Sequence, residues 1–181
     1  MSDTATLFTP RDLLLLRAMA ASAAGAAVIL PVAALAFWGW AEPDTLRAVL
    51  GPAFLVSTVG PWQRFGLIGA GLMPVVPIAF GLWRLRATFL EFLAGRPFSI
   101  SAINGLNRFA MMMIVSVAAG LVSTPLLSLS LSWNAPPGAR QITLTIGSGN
   151  LALLFFACVV LVVAWALRRA AAIEAENRQF I

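Results

Sequence analysis

Residues 93–108, "LAGRPFSISAINGLNR", set two glycines, a proline and two arginines between two tracts that hold almost no charge. What this turn connects depends on the solvent of those tracts. The 181-residue chain is 60% hydrophobic and 10% charged, with a mean hydropathy of +0.91. Soluble domains run nearer roughly 45–50% apolar and 25% charged. Too few polar residues are present to cover a water-facing core of this size. Lipid is the expected solvent, and the turn then joins two membrane crossings.

Crossing ~30 Å of hydrocarbon takes a helix of about 20 apolar residues, because backbone polar groups must be satisfied within the segment. Four uncharged tracts reach that length, at residues 18–40, 65–83, 109–131 and 144–167. Arg17, Arg64, Arg84, Arg108 and the pair Arg168–Arg169 stop them. Trp38, Trp40, Trp62, Trp83, Trp133 and Trp165 fall at or near the same ends, where an indole sits half in the headgroup layer. No linker, charge block or fixed-period repeat divides residues 1–181, which read as a single membrane domain. The expected fold is all-α integral membrane: four transmembrane helices, with cytoplasmic helical extensions of spans 2, 3 and 4. A signal peptide cleaved at Ala34–Ala36 competes for the first tract, but its length and aromatic flank favour a retained span.

Arginine placement sets the expected orientation. Arg11, Arg17, Arg84, Arg86, Arg96, Arg108, Arg168, Arg169 and Arg178 lie on one side of the spans, and Arg47, Arg64 and Arg140 on the other. The positive-inside rule puts the first group in the cytoplasm of an inner-membrane protein, with both termini, an elbow at 84–108 and a tail at 168–181. The net charge of +5 comes wholly from these dispersed arginines, a pattern of topology and not of direct nucleic-acid binding. Within the outer loop, 41–64, the stretch Leu46–Val59 is apolar but cut by Gly51–Pro52 and too short to cross. A surface helix is favoured over a re-entrant hairpin there.

The elbow is punctuated in detail. "WRLRATFLEFLAG" carries span 2 onward as a helix, with Leu85, Phe89 and Phe92 or Leu93 along one stripe. Gly95 supplies a left-handed cap, Pro97 prevents resumption, and Ser99 or Ser101 caps the next helix. The hairpin should project about 15 Å, with Phe98 packed between its arms. Arg84, Arg86, Arg96 and Phe98 then form either a stable topological anchor or a docking surface for a cytoplasmic protein. The tail "ALRRAAAIEAENRQFI" continues span 4 as a charged helix on the same side, adding Glu174, Glu176, Asn177 and Phe180.

"GRPFS", the span opening "INGLNR" and the tail motif ending "EN..FI" resemble the domain-of-unknown-function family 2975. Gly95, Pro97, Phe98, Ser99, Glu176, Asn177 and Phe180 carry the likeness, which covers nearly the whole chain. It implies a small bacterial four-span membrane protein with no established activity, considered beside helix-turn-helix regulators. Arginine stands here where that family often has lysine.

Missing residue types exclude chemistry. There is no histidine, which removes bis-His haem ligation, imidazole-based metal sites and Ser–His catalysis. There is no lysine for a Walker-type loop, and Cys158 is alone, so dithiol exchange is excluded. No span carries the ionisable group that proton- or ion-coupled transport usually keeps at membrane depth. The strongest in-span polar features, the row Ser116, Gly120 and Thr124 and the lone Asn150, read as helix packing and an interhelical hydrogen bond. No cofactor, metal or catalytic residue is expected. Besides the bilayer, the expected partner is a cytoplasmic protein, such as a transcriptional regulator; a homo-oligomer is also compatible. A small-solute or lipid-binding transporter using Pro74 and Pro77, or a subunit of a larger membrane complex, are the alternatives.

Overall fold

A computed structural model describes residues 9–50, 59–133, 142–144 and 147–177, and every regular element among them is helical. Helix α1 spans Pro10–Trp40, α2 Pro43–Leu50, α3 Pro61–Leu93, α4 Ile100–Ser132 and α5 Ser148–Asn177. All but α2 contain a stretch long and apolar enough to cross a membrane. At 1.5 Å per residue these four are about 45–50 Å long, well beyond the ~30 Å of hydrocarbon. The surplus falls mainly at one end: residues 84–93, 100–108 and 168–177 continue α3, α4 and α5 past their apolar tracts.

Helix α1 adds an extension that the sequence reading lacked, since it begins at Pro10 instead of Ala18. The cause is a capping box. The Thr9 backbone N–H donates to Asp12 Oδ2 at 2.8 Å, and the Asp12 N–H donates to Thr9 Oγ1 at 3.3 Å. Pro10 fills the first helical position, where its missing N–H costs nothing. Donation from the Thr9 hydroxyl, then from its backbone N–H, holds the Asp12 carboxyl below the ordinary carboxylate value.

Helices α3 and α4 form an antiparallel central pair, with α1 packed on α3 and α5 on α4. In their apolar stretches 28% and 33% of residues are buried, against 11% in α1 and in α5, so the outer helices turn most of their surface away from the protein. The central seam repeats every seven residues on α4: Ala102, Phe109, Ser116, Ser123 and Ser130. Opposite them stand Thr88, Gly81, Pro74, Ala70 and Gly66. Ser116 Oγ donates to the Pro74 carbonyl at 2.6 Å, and Ser123 Oγ to the Ala70 carbonyl at 2.7 Å. The second bond has a specific reason. Pro74 has no N–H to offer the carbonyl four residues back, and Ser123 supplies the missing donor.

This seam differs from the four-residue row expected from sequence. Ser116 lies in it and Gly120 stands beside Pro74, where an added β-carbon would be 3.9 Å from the proline's own, while the Thr124 hydroxyl donates to the Gly120 carbonyl of its own helix at 3.1 Å. Each step of four drifts about 40° around a helix, whereas a step of seven returns to within roughly 20°. A contact lasting the length of two helices must follow the second.

The end away from the elbow has its own small core. Leu46 of α2 is fully buried against Ala41, Leu67, Ala70, Leu127 and Leu131, with Trp38 and Val59 beside it. The short helix therefore starts three residues earlier than expected, at Pro43, and is pinned by one leucine inserted into the core. The question of a re-entrant hairpin falls on residues 51–58, outside the described residues. Trp38 also departs from expectation. Trp40, Trp62, Trp83, Trp133 and Trp165 are half or more exposed, but the Trp38 indole occupies the place where Gly71 has no side chain. Gln63 braces the same end, accepting from the Gly60 N–H at 2.8 Å and donating to the Leu131 carbonyl at 3.2 Å. The Arg64 guanidinium donates to the Gly39 carbonyl, tying α3 to the end of α1. A second cluster, Phe109, Met113 and Ala157 with Leu85 against it, joins α3, α4 and α5 toward the elbow.

Candidate functional site

Three backbone hydrogen bonds end α3. Ala94 N–H donates to the Leu90 carbonyl, Gly95 N–H to Phe92 and Arg96 N–H to Glu91, each at 3.0 Å. The last two form a Schellman motif, which requires a left-handed residue at its centre. Gly95 is that residue, at φ 72°. Pro97 follows, and Ser99 caps α4 by accepting from the Ala102 N–H at 3.1 Å.

Side chains then lock the turn. The Ser99 hydroxyl donates to Glu91 Oε2 at 3.1 Å, and Arg96 Nη2 approaches the same oxygen at 3.2 Å. Thr88 Oγ1 donates to the Ala102 carbonyl at 3.0 Å across the hairpin. Gly105 lies so close to α3 that a β-carbon there would collide with the Thr88 hydroxyl and reach 2.9 Å from the Arg84 carbonyl. Glu91, Thr88 and Gly105 were not singled out by the sequence reading. Glu91 had a usable signal: it is the only acid in a basic turn.

Phe98 is exposed instead of packed between the arms, and this corrects the sequence expectation. Phe98 is 47% exposed and Ile100 78% exposed, beside an Arg96 side chain that is 66% exposed. Arg84 and Arg86 lie on α3 beyond the apolar tract, with guanidinium carbons 4.9 Å from the Phe80 ring centroid and 5.4 Å from that of Trp83. The start of the tail reaches the hairpin, where Arg168 Nη2 approaches Asn104 Oδ1 at 3.4 Å. Glu174, Glu176 and Asn177 occupy the last turns of α5, with Glu176 exposed, whereas Arg178 and Phe180 lie outside the described residues. Asn150 sits at the opposite end, in the first turn of α5. Its backbone N–H donates to the Gly147 carbonyl at 3.0 Å, and its side chain makes no interhelical hydrogen bond among the described residues.

Gly95→Val should cost about 1 kcal/mol or more locally, because a β-branched residue is an outlier at positive φ. Amide exchange at residues 94–99 in detergent is the measurement, and faster exchange than in the parent is the expected result. Gly95→Asn, which tolerates the left-handed region, should lose less.

Among the described residues no group of acids and cysteine is placed to hold a metal ion. Helices of membrane-crossing length, joined through a hydrogen-bonded hairpin, define a multi-pass α-helical membrane protein. A family model described as "Protein of unknown function (DUF2975)" matches residues 60–181, and the chain belongs to that family. The match begins at Gly60, the residue that precedes α3, so it takes in the hairpin and α5 but leaves α1 and α2 outside. No curated protein and no solved structure matches.

Proposed function

We propose that this chain is a non-enzymatic protein of the bacterial inner membrane whose elbow and tail receive a soluble cytoplasmic protein. The supporting observation is the contrast within residues 88–105. Their backbone is fixed by a Schellman motif, a shared carboxylate and a buried threonine, yet Phe98 and Ile100 point outward beside Arg96. A rigid turn with an exposed aromatic anchor and a charged neighbour presents a preorganised surface at low entropic cost. The complementary partner carries an apolar pocket with an acidic rim. The family's standing beside helix-turn-helix regulators makes a DNA-binding regulator the first partner to test. The cytoplasmic placement of the elbow, tail and extended helix ends rests on the nine-to-three division of arginines.

Cysteine labelling tests the orientation. Position 96 should react only after the membrane is made permeable, and positions 136–137 from outside. Co-purification in mild detergent tests the docking. Phe98→Ser, Arg96→Glu and removal of residues 178–181 should each lose the same soluble protein without loss of abundance, while Arg140→Glu keeps it. Equal recovery from all four variants would leave the arginines as topology anchors.

A further inference from the structure

Between α3 and α4, just behind the elbow, lies a cleft of about 180 Å³ lined by Arg84, Ala87, Ser101, Asn104, Gly105 and Arg108. Its polar groups are two guanidinium groups, a hydroxyl and an amide, with no carboxylate among the described residues that line it. Glu91, the acid of the elbow, is taken by Arg96 and Ser99. Arg84 makes no ion pair among the described residues. Its guanidinium lies over Phe80, and its Nε has no hydrogen-bond partner among the described residues. Ser101 and Asn104 belong to the first turns of α4, where the helix dipole is positive. Arg168 of α5 adds a third guanidinium at the margin, through Asn104.

We propose that this cleft binds a phosphate group, with Arg84 and Arg108 gripping it from opposite helices and Ser101 and Asn104 donating to its remaining oxygens. Arginine suits this role because its planar fork pairs with two phosphate oxygens at once. Depth fits a lipid source. Arg84 follows Trp83, which is half exposed at the end of the apolar tract, where indoles mark the headgroup layer. Basic pockets between transmembrane helices are suited to anionic headgroups. A free phosphate ion carries the same chemistry, and the test separates the two sources. The site is distinct from the Phe98 tip and stands whether or not the tip receives a protein.

The experiment uses the full chain purified in uncharged detergent, with melting followed on addition of phosphatidylglycerol, phosphatidylcholine or inorganic phosphate. Phosphatidylglycerol is expected to raise the melting temperature by several degrees more than phosphatidylcholine. Arg84→Gln with Arg108→Gln should abolish that difference. Arg108→Gln alone, at an exposed position that leaves the hairpin packing intact, should weaken the response at least tenfold in lipid concentration. Arg169→Gln removes the same charge from α5 at a residue that does not line the cleft, and should keep the wild-type response. A rise with inorganic phosphate, lost in the double variant, would identify the free ion as a sufficient ligand. A double variant that still responds like the wild type, an Arg169→Gln that loses the response equally, or no rise with either anion would overturn the proposal.

Discussion

Gly105→Val should prevent stable assembly of the central helix pair. The new β-carbon would overlap the Thr88 hydroxyl and press the Arg84 carbonyl at 2.9 Å, and the second obstacle is backbone. A side chain can rotate away, but a helix carbonyl retreats only if the whole of α3 moves. That movement would break the Thr88–Ala102 hydrogen bond and widen the seam above it, where Gly81 meets Phe109 and Met112. Overpacking of this kind costs roughly 1–3 kcal/mol, and a lost buried hydrogen bond adds about 1 kcal/mol or more. Against a typical total stability of about 5–15 kcal/mol, a loss of about 2–4 kcal/mol should appear as low yield and early melting in detergent. Gly105→Ala should be intermediate in form, since it introduces the same β-carbon without the branch. Gly69→Ala is the control, because nothing lies within 4 Å of a β-carbon there. Wild-type melting of Gly105→Val would mean that α3 and α4 are not in contact at this level.

Gly71→Val should expel Trp38 from its seat. The added carbon would overlap the five-membered ring of the indole, and the obstacle this time is a side chain that can leave. Trp38 packs against the cluster of Ala41, Leu46, Leu67 and Ala70, so its departure uncovers the contact between α1, α2 and α3. A lost large aromatic contact costs about 3 kcal/mol. The clash is specific, so Trp38→Ala should make Gly71→Val nearly harmless. A double-mutant cycle on melting in detergent should give a favourable coupling of at least ~1 kcal/mol. Strictly additive losses would show that the indole does not occupy the glycine's place.

The outline of this fold was legible because lipid imposes a simple rule on sequence. Tracts long enough to cross must be uncharged and helical, and their ends are marked by arginine and tryptophan. That rule yields four long helices but says nothing of which face meets which. Ser116, Gly120 and Thr124 make a visible row that reads as helix packing, while the longer seam Ala102–Phe109–Ser116–Ser123–Ser130 does not stand out because it mixes small, aromatic and polar residues. Only contact with α3 reveals it, since Ser123 earns its place by bonding to Ala70 beneath a proline. The early start of α1 was readable: "TPRD" holds a cap, a first-position proline and an acid three residues on. At the elbow, the punctuation by Gly95, Pro97 and Ser99 stands in the sequence, but the outward direction of Phe98 does not. Its exposure depends on how the two arms meet, which no local pattern encodes.

The brevity of the elbow also bears on the order in which the chain takes shape. Residues 94–99 alone separate two helices of 33 residues each, and the Thr88–Ala102 bond closes across 14 positions of sequence. Closing so short a loop loses little entropy, and each further seam contact then adds to an interface already aligned. The α3–α4 hairpin should therefore zip from the elbow toward its open end as soon as both segments are in the bilayer. Helix α1 arrives in the membrane earlier in synthesis, yet its native neighbour does not exist until α3 has been made. It must wait as a solitary helix, and its rank of alanines and leucines, comfortable in lipid without a partner, suits it to that interval.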